Sequence, residues 1–377
     1  MMRHLGLALL SSTAACFDGE GSLGGACERD ADCGGAQSCE RSICSLCGDG
    51  VAQAGELCLD EPEPTNASAE GIVSLASIDM DGDGQLDLVW PGQGALSVAR
   101  VSEAGIDAAQ ALVLDVTAVW SGDIDGDGVV ELLTRDSATG AALWRANGSG
   151  ELVPVPEVDV APLRGLSAAV LDPDFGVIAE VGSRLVRVQS GAEPIDVELD
   201  ADATHLVVAP SIDEGGRRDV VVVLEERELV GVRVTDDGML QPFAPQFMAP
   251  AVRDVAAVRW NGDAYGDVVI LSKDGEARVW LSDGTQAFVE GPTRGMSQTA
   301  QRVLVHDMTD DLVPDVFTVG PESNVRLAVQ RGGELDRSAA LLSMQASWAT
   351  VMRVGTDPFD DLVLYDGTTF FVARGNP

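Results

Sequence analysis

A short acidic turn bounded by apolar runs returns along this chain at nearly even spacing. Its clearest copies are Asp79-Met80-Asp81-Gly82-Asp83-Gly84-Gln85-Leu86-Asp87 and Asp123-Ile124-Asp125-Gly126-Asp127-Gly128-Val129-Val130-Glu131. Aligning on the last acid exposes weaker copies that end at Asp219, Asp267, Asp315 and Asp361. These anchors, at 87, 131, 219, 267, 315 and 361, are 44, 88, 48, 48 and 46 residues apart. The double interval predicts a shortened copy near 175, where Asp172-Pro173-Asp174-Phe175-Gly176 separates two apolar runs. Residues 71–377 therefore hold seven units of about 44 residues, a period that means one supersecondary unit stacked on its neighbours.

Each unit runs apolar segment, acidic turn, apolar segment, Gly-containing turn, then an alternating segment such as 96–101, 185–188, 229–234, 277–281 or 325–329. Period-two alternation with abundant valine is the strand signal. Four strands in about 45 residues make a propeller blade, so the expected fold class is all-β, a seven-bladed β-propeller at 71–377. The second strands, at 88–90, 220–224 and 268–271, are apolar on both faces, as strands sandwiched between blades should be. A parallel β-helix is the alternative, but its repeats are shorter. After Phe370-Phe371-Val372-Ala373 no residues remain for a fourth strand, so a segment near residues 61–70 would have to close the last blade.

The turns carry metal-ligand chemistry. In the first, Asp79, Asp81 and Asp83 stand at positions 1, 3 and 5, Gly84 permits the bend, Gln85 offers a carbonyl and Asp87 closes the set. Asp123, Asp125, Asp127, Val129 and Glu131 do the same in the second. Calcium takes six to eight oxygens, and four clustered carboxylates repel one another without a cation. Two structural Ca²⁺ ions are expected, one per intact turn. Asn261, Asp263 and Asp267, and Asp307, Asp311 and Asp315, are weaker sets. At this point the array resembles the FG-GAP or VCBS repeats of integrin-α-like β-propellers over roughly 300 residues. The stretch Val279-Trp280-Leu281-Ser282-Asp283-Gly284-Thr285, with Phe288 beyond it, looks like that family's later strand and turn. The resemblance implies Ca²⁺ in the loop between the first and second strands of a blade. It implies adhesion or ligand display in part of the class and an accompanying enzyme domain in others. The departures are Arg259 and Thr309 in place of acids, and Arg353 with Gly355 in the last copy.

The N-terminal part reads differently. Arg3 and His4 precede the apolar run 5–10 and then Ser11-Ser12-Thr13-Ala14-Ala15-Cys16, a secretory signal too short to span a bilayer. Thr13-Ala14-Ala15-Cys16 resembles a bacterial lipobox, which makes Cys16 the lipidated residue, although Thr13 stands where leucine is usual. All seven cysteines lie before residue 59. Setting Cys16 aside leaves Cys27, Cys33, Cys39, Cys44, Cys47 and Cys58, an even set suited to three disulfides in an oxidising compartment, with a zinc knuckle as the alternative. The Gly-rich segment 17–60 has no core of its own and needs such staples. Cys47-Gly48-Asp49-Gly50 with Gly55-Glu56-Leu57-Cys58 resembles a Cys-rich repeat of bacterial surface proteins. Proline and acids at 61–70 read as a solvated linker.

The balance of 61 Asp+Glu against 24 Lys+Arg, a formal charge of −37, excludes a nucleic-acid partner and direct attraction to anionic lipid. One lysine against 23 arginines points to a GC-rich bacterial source. Beyond His4 only His205 and His306 remain, both read as structural, and no nucleophile elbow, zinc-protease or phosphate-loop motif occurs. Trp90, Trp120, Trp144, Trp260, Trp280 and Trp348 are expected in blade packing, not on a sugar-stacking face. The expected function is a non-enzymatic binding or adhesion module, exported and lipid-anchored at the bacterial envelope, outer membrane or cell surface, or secreted. It would be a monomer with a protein or glycan ligand, held to the membrane only through its lipid. The alternatives are a polysaccharide hydrolase or lyase on a propeller scaffold, and a structural envelope protein.

Overall fold

The computed structural model describes residues 38–40, 43–45 and 57–375, apart from positions 93, 103, 113, 139, 213–217, 248–249, 310, 337 and 356–358. Valine-rich second strands buried along their whole length decide the architecture: Asp219–Leu224 and Asp267–Ser272 have no exposed residue. Such a strand must be covered on both faces. Val220, Val222 and Leu224 pack with Ile178 and Leu185 of the preceding sheet, whereas Val221 and Val223 pack with Val268 and Ile270 of the following one. Seven apolar clusters of this kind lie among the described residues, one between each pair of neighbouring sheets. Each fully buried Val or Leu is worth roughly 1.5–3 kcal/mol. The core is therefore divided into seven interfaces and not gathered in one place.

The sheets are seven propeller blades. Blade 1 is Ala76–Ile78, Asp87–Pro91, Leu96–Ala99 and Gln110–Leu112; blade 2 is Ala118–Gly122, Glu131–Arg135, Ala141–Ala146 and Leu152–Pro154. Blade 3 is Ala168–Asp172, Gly176–Glu180, Arg184–Val188 and Ile195–Glu198; its first turn, Asp172 to Gly176, is the shortened copy expected near 175. Blade 4 (Ala203–Ala209, Asp219–Leu224, Glu228–Val234, Leu240–Pro242) and blade 5 (Val252–Val258, Asp267–Ser272, Glu276–Ser282, Phe288–Gly295) follow. The first strands of successive blades touch one another around the axis.

Blades 6 and 7 complete the four-strand order differently from the rest. Blade 6 is built from Arg302–His306, the long element Asp315–Ala328 and Ala339–Ala346. The middle element doubles back between Gly320 and Asn324, for these two face the adjacent Ala346 and Gln345 and Gln330 N–H returns to Asp315 Oδ1 at 3.1 Å, so its two arms serve as the blade's second and third strands. Blade 7 takes Trp348–Met352, Asp361–Tyr365 and Thr369–Ala373 from the C-terminal end and its outer strand, Glu63–Ser68, from the other. Residues expected as a solvated linker thus close the ring, pairing Glu63 with Val372 and Ser68 with Thr369. Pro64 is tolerated because an outermost strand has a free edge where a missing N–H costs nothing. Just upstream, Leu59 bridges Gly375, and Leu57 and Leu59 are buried in the cluster between blades 6 and 7.

All six tryptophans contribute to clusters between blades: Trp90 and Trp348, Trp120, Trp144, Trp260 and Trp280. In the Cys-rich segment, Ser38–Glu40 pairs with Ile43–Ser45, and Cys39 and Cys58 are disulfide-bonded. The segment expected to be an export signal, Cys16, Cys27, Cys33, Cys47 and the side chain of Cys44 lie outside the described residues.

Candidate metal centre

Each acidic turn joins the first strand of its blade to the second, and the anchor residue starts the second strand. Asp87, Asp219, Asp267, Asp315 and Asp361 are at most 1% exposed and Glu131 is 0% exposed. Their carboxylates are backbone clamps. One oxygen of each accepts the N–H seven residues earlier: Met80 to Asp87 at 2.9 Å, Ile124 to Glu131 at 3.0 Å, and Ile212 to Asp219 at 2.9 Å. Trp260 to Asp267, Met308 to Asp315 and Val354 to Asp361 repeat the bond at 2.7, 3.2 and 2.7 Å. The other oxygen accepts a second N–H beyond the third strand, from Val101, Ser282, Gln330 or Gly375, to Asp87, Asp267, Asp315 or Asp361. Charge-assisted bonds to buried N–H groups explain why the anchor recurs where the other turn acids do not.

The first turn is built on its own glycines. Gly82 and Gly84 hold φ of 80° and 86°, the left-handed region that glycine enters without penalty. Their N–H groups donate to Asp79 Oδ1 and Oδ2 at 2.7 and 2.9 Å, and Gln85 N–H donates to Asp83 Oδ1 at 2.7 Å. Asp79, Asp81 and Asp87 bring carboxylate oxygens within 4.8 Å of one another, with Asp83 outside the group. Asp81 Oδ2 lies 3.4 Å from Arg100 Nη1, while its Oδ1 is buried without a hydrogen-bond partner. Burial, with the charges of Asp81 and Asp83 adding to it, pushes the Asp87 carboxyl up to about 6.

The second turn repeats this backbone: Gly126 and Gly128 donate to Asp123 at 2.6 and 3.0 Å, and Asp123, Asp125 and Asp127 converge within 4.8 Å. Three of its four carboxylates already face a cation. Arg145, paired across the sheet from Glu131, donates Nε–H to Glu131 Oε1 at 2.6 Å and Nη2–H to Asp125 Oδ2 at 2.8 Å, and its Nη1 lies 3.5 Å from Asp127 Oδ2. That guanidinium holds the Asp125 carboxyl below its usual range, whereas burial raises Glu131 in spite of it. The two shifts differ in sign because Asp125 is exposed and Glu131 is not.

Among the described residues these are the turns with three converging carboxylates. In the weaker sets, Asn261 Nδ2 donates to Asp263 at 2.8 Å, and Asp307 accepts Leu312 N–H at 2.7 Å while Asp311 accepts Val313 N–H at 3.0 Å. Burial pushes Asp315 up to about 7 and Asp219 to about 6. The sequence reading passed over the arginines. One stands 13 or 14 residues after four anchors, as Arg100, Arg145, Arg233 and Arg374. The recurring offset is the signal that could have found them.

At the opposite end of the axis, polar groups tie each blade to the next. Val119 N–H donates to Ser74 Oγ at 3.0 Å, Arg135 Nη1–H to Leu166 O at 2.9 Å, and Ala203 N–H to Glu180 Oε1 at 2.6 Å. His205 Nε2 bonds Arg253 O at 3.0 Å, and Val303 N–H donates to Asp254 Oδ2 at 2.8 Å. The Arg302 guanidinium lies 4.2 Å from the Trp348 ring centre, and Trp348 Nε1–H reaches Ile72 O at 3.3 Å. His205, with its charged form disfavoured by burial, is thus one link in a belt around the whole ring. His306 bonds Asp360 at 2.8 Å between blades 6 and 7.

A calcium ion fits the first turn better than the second. The first holds an orphaned buried carboxylate oxygen, and the oxygens that accept backbone N–H groups retain a lone pair for a cation. The second already contains a cation.

No family model matches this chain, and no curated protein matches it. Among solved structures, a chain in the crystal structure of BBS1N in complex with ARL6DN, soaked with mercury, superposes with a TM-score of 0.58 at 11% identity. The alignment covers 85% of this chain and 97% of that one. The lead-soaked crystal of the same complex gives 0.56 at 12% identity over 86% and 98%. Likeness at this identity establishes the seven-bladed propeller fold.

Proposed function

We propose that this chain is an exported, lipid-anchored binding or adhesion module of the FG-GAP/VCBS type, a propeller stabilised by calcium that presents a face to a protein or glycan ligand. The observation that carries binding over hydrolysis is the use already made of the axial polar groups. His205, Asp254, Arg302 and Glu180 are committed to bonds between blades. Among the described residues, two open depressions each contain a single acid, Glu70 or Asp174, and no histidine. A hydrolase or lyase needs an acid and a base converging on one cleft. The solved propeller it resembles was crystallised with a protein partner, which supports a protein ligand here as well.

Export and anchoring rest on the segment ending at Cys16 and on the crowding of cysteines before residue 59, two of them, Cys39 and Cys58, in disulfides. Asp79, Asp81, Asp83 and Asp87, with the Gln85 carbonyl, would hold the calcium ion, whose contribution is charge neutralisation and order, not chemistry. The side chain of Gln85 gives this order a reach beyond its own blade. Its Oε1 accepts Gly355 N–H at 3.2 Å, linking the first turn to blade 7 where the ring closes.

The test is capture of glycans and envelope proteins by the purified chain in millimolar Ca²⁺ and in EGTA. Saturable capture that weakens in EGTA is expected. Release of new reducing or unsaturated sugar ends, without retention of ligand, would turn the reading toward the enzyme. Mass spectrometry of the mature N-terminus should find a diacylglyceryl cysteine at Cys16; an unmodified terminus elsewhere would remove the anchor.

A further inference from the structure

We infer that Arg145 is the resident cation of the second acidic turn, so that the chain takes one calcium ion, at Asp79–Asp87, where its two near-identical motifs would suggest two. This rests on the calcium reading and corrects its count. The guanidinium meets three carboxylates of the second turn, at 2.6 Å from Glu131, 2.8 Å from Asp125 and 3.5 Å from Asp127. A calcium ion bound by those same groups would have to displace Arg145 from their oxygens, and a guanidinium cannot be deprotonated to make way.

The cause is a single methylene. Asp87 is short, and its two oxygens accept Met80 N–H and Val101 N–H, both backbone. Glu131 reaches further. Its Oε2 accepts the matching Ile124 N–H, but its Oε1 goes to the arginine directly across the sheet. In blade 1 the equivalent Arg100 comes just after Ala99, the partner of Leu88, and touches one carboxylate oxygen, on Asp81 at 3.4 Å. Asp81 Oδ1 is left without a partner, whereas among the described residues no oxygen of the second turn is buried and unpaired. The other two arginines make different contacts from the same position. Arg374 donates to Val354 O at 2.6 Å, and Arg233 sits 3.8 Å from Asp219 and over the Phe243 ring.

Equilibrium dialysis of the full chain against calcium decides the matter. The wild type should bind one equivalent, lost in Asp81→Asn and retained in Asp125→Asn. Arg145→Ala should bind two, the second lost again when Asp125→Asn is added, and Arg145→Gln, which keeps most of the side-chain volume, serves if the alanine variant does not fold. Two equivalents in the wild type, one of them removed by Asp125→Asn, would overturn the inference while leaving calcium stabilisation intact. No calcium bound to the wild type, with none gained by either Arg145 variant, would instead sink the calcium reading itself and this inference with it.

Discussion

The turns Asp79–Asp87 and Asp123–Glu131 share five of nine residues, including every glycine and three of four acids, and lie in adjacent blades. Their backbones bond alike, with the first acid capping both glycines. They differ in what balances the charge. Asp81 keeps a buried oxygen unpaired, whereas the second turn is closed around Arg145. An acidic motif thus specifies a concentration of negative charge and says nothing about which cation answers it. Blades 4 and 6 show a further state. Asp219 has an arginine no nearer than 3.8 Å, and Asp315 is held by backbone N–H groups, so burial raises their carboxyls to about 6 and about 7.

The comparison breaks most visibly at Arg145. Arg145→Ala leaves Glu131, at 0% exposed, without its counterion, and loss of about 3 kcal/mol is expected in EGTA. Millimolar calcium should restore most of it, because the vacated turn then has the first turn's composition. Denaturant melts in the two buffers measure this, and an equal loss in both would show that the arginine acts by packing alone.

Removing the first turn's ligand is the next effect in size. At 100-fold saturation one ion stabilises by up to about 2.7 kcal/mol, so wild-type protein should melt several degrees higher in calcium than in EGTA. Asp81→Asn should erase that difference, and Asp125→Asn should leave it. A calcium increment that survives Asp81→Asn would place the ion elsewhere.

Anchors that have neither remedy predict a pH effect. The folded-state value of about 6 for Asp219 lies above the unfolded one of about 3.9, so the native state holds the proton more tightly. That contribution is complete below about pH 4 and is lost as pH rises through 6. Asp219→Asn, which cannot ionise, should flatten the fall in stability between pH 4 and 7 by roughly 2 kcal/mol. An unchanged slope would mean that Asp219 is charged in the folded protein throughout that range.

The smallest effect concerns turn geometry. Leu312 stands where the intact turns have Gly84 and Gly128; it holds φ of 64° and is 91% exposed. Leu312→Gly should stabilise by about 0.5–1 kcal/mol, because a left-handed leucine is strained and nothing is lost from the core. Destabilisation would show that the leucine earns its place through a contact.

Local features were legible before any coordinates. The six anchors marked the start of six second strands, the double interval marked the shortened turn at Asp172, and two-faced valine runs marked strands between blades. Each depends on residues within one unit. In blade 6 the alternating run at 325–329 is likewise the third strand, reached by the reversal after Gly320. The belt through Glu180, His205, Asp254 and Arg302 escaped because its members share no motif and meet only where inner strands of different blades converge.

The sequence by itself determined the period, the positions of the turns and the alternation that buries both faces of a strand, since left-handed glycines and period-two side chains act over a few residues. Tertiary structure alone decided how the ring closes and which carboxylates meet which cation. Closure pairs Glu63 with Val372 across some three hundred residues, and it is settled by the open edge left in blade 7 rather than by anything in the acidic, proline-bearing segment itself. Arg145 becomes a counterion because cross-strand register sets it opposite Glu131, whose extra methylene turns an oxygen away from the backbone. Arg100, which the same register sets across from the shorter Asp87, touches only Asp81 and leaves its turn open.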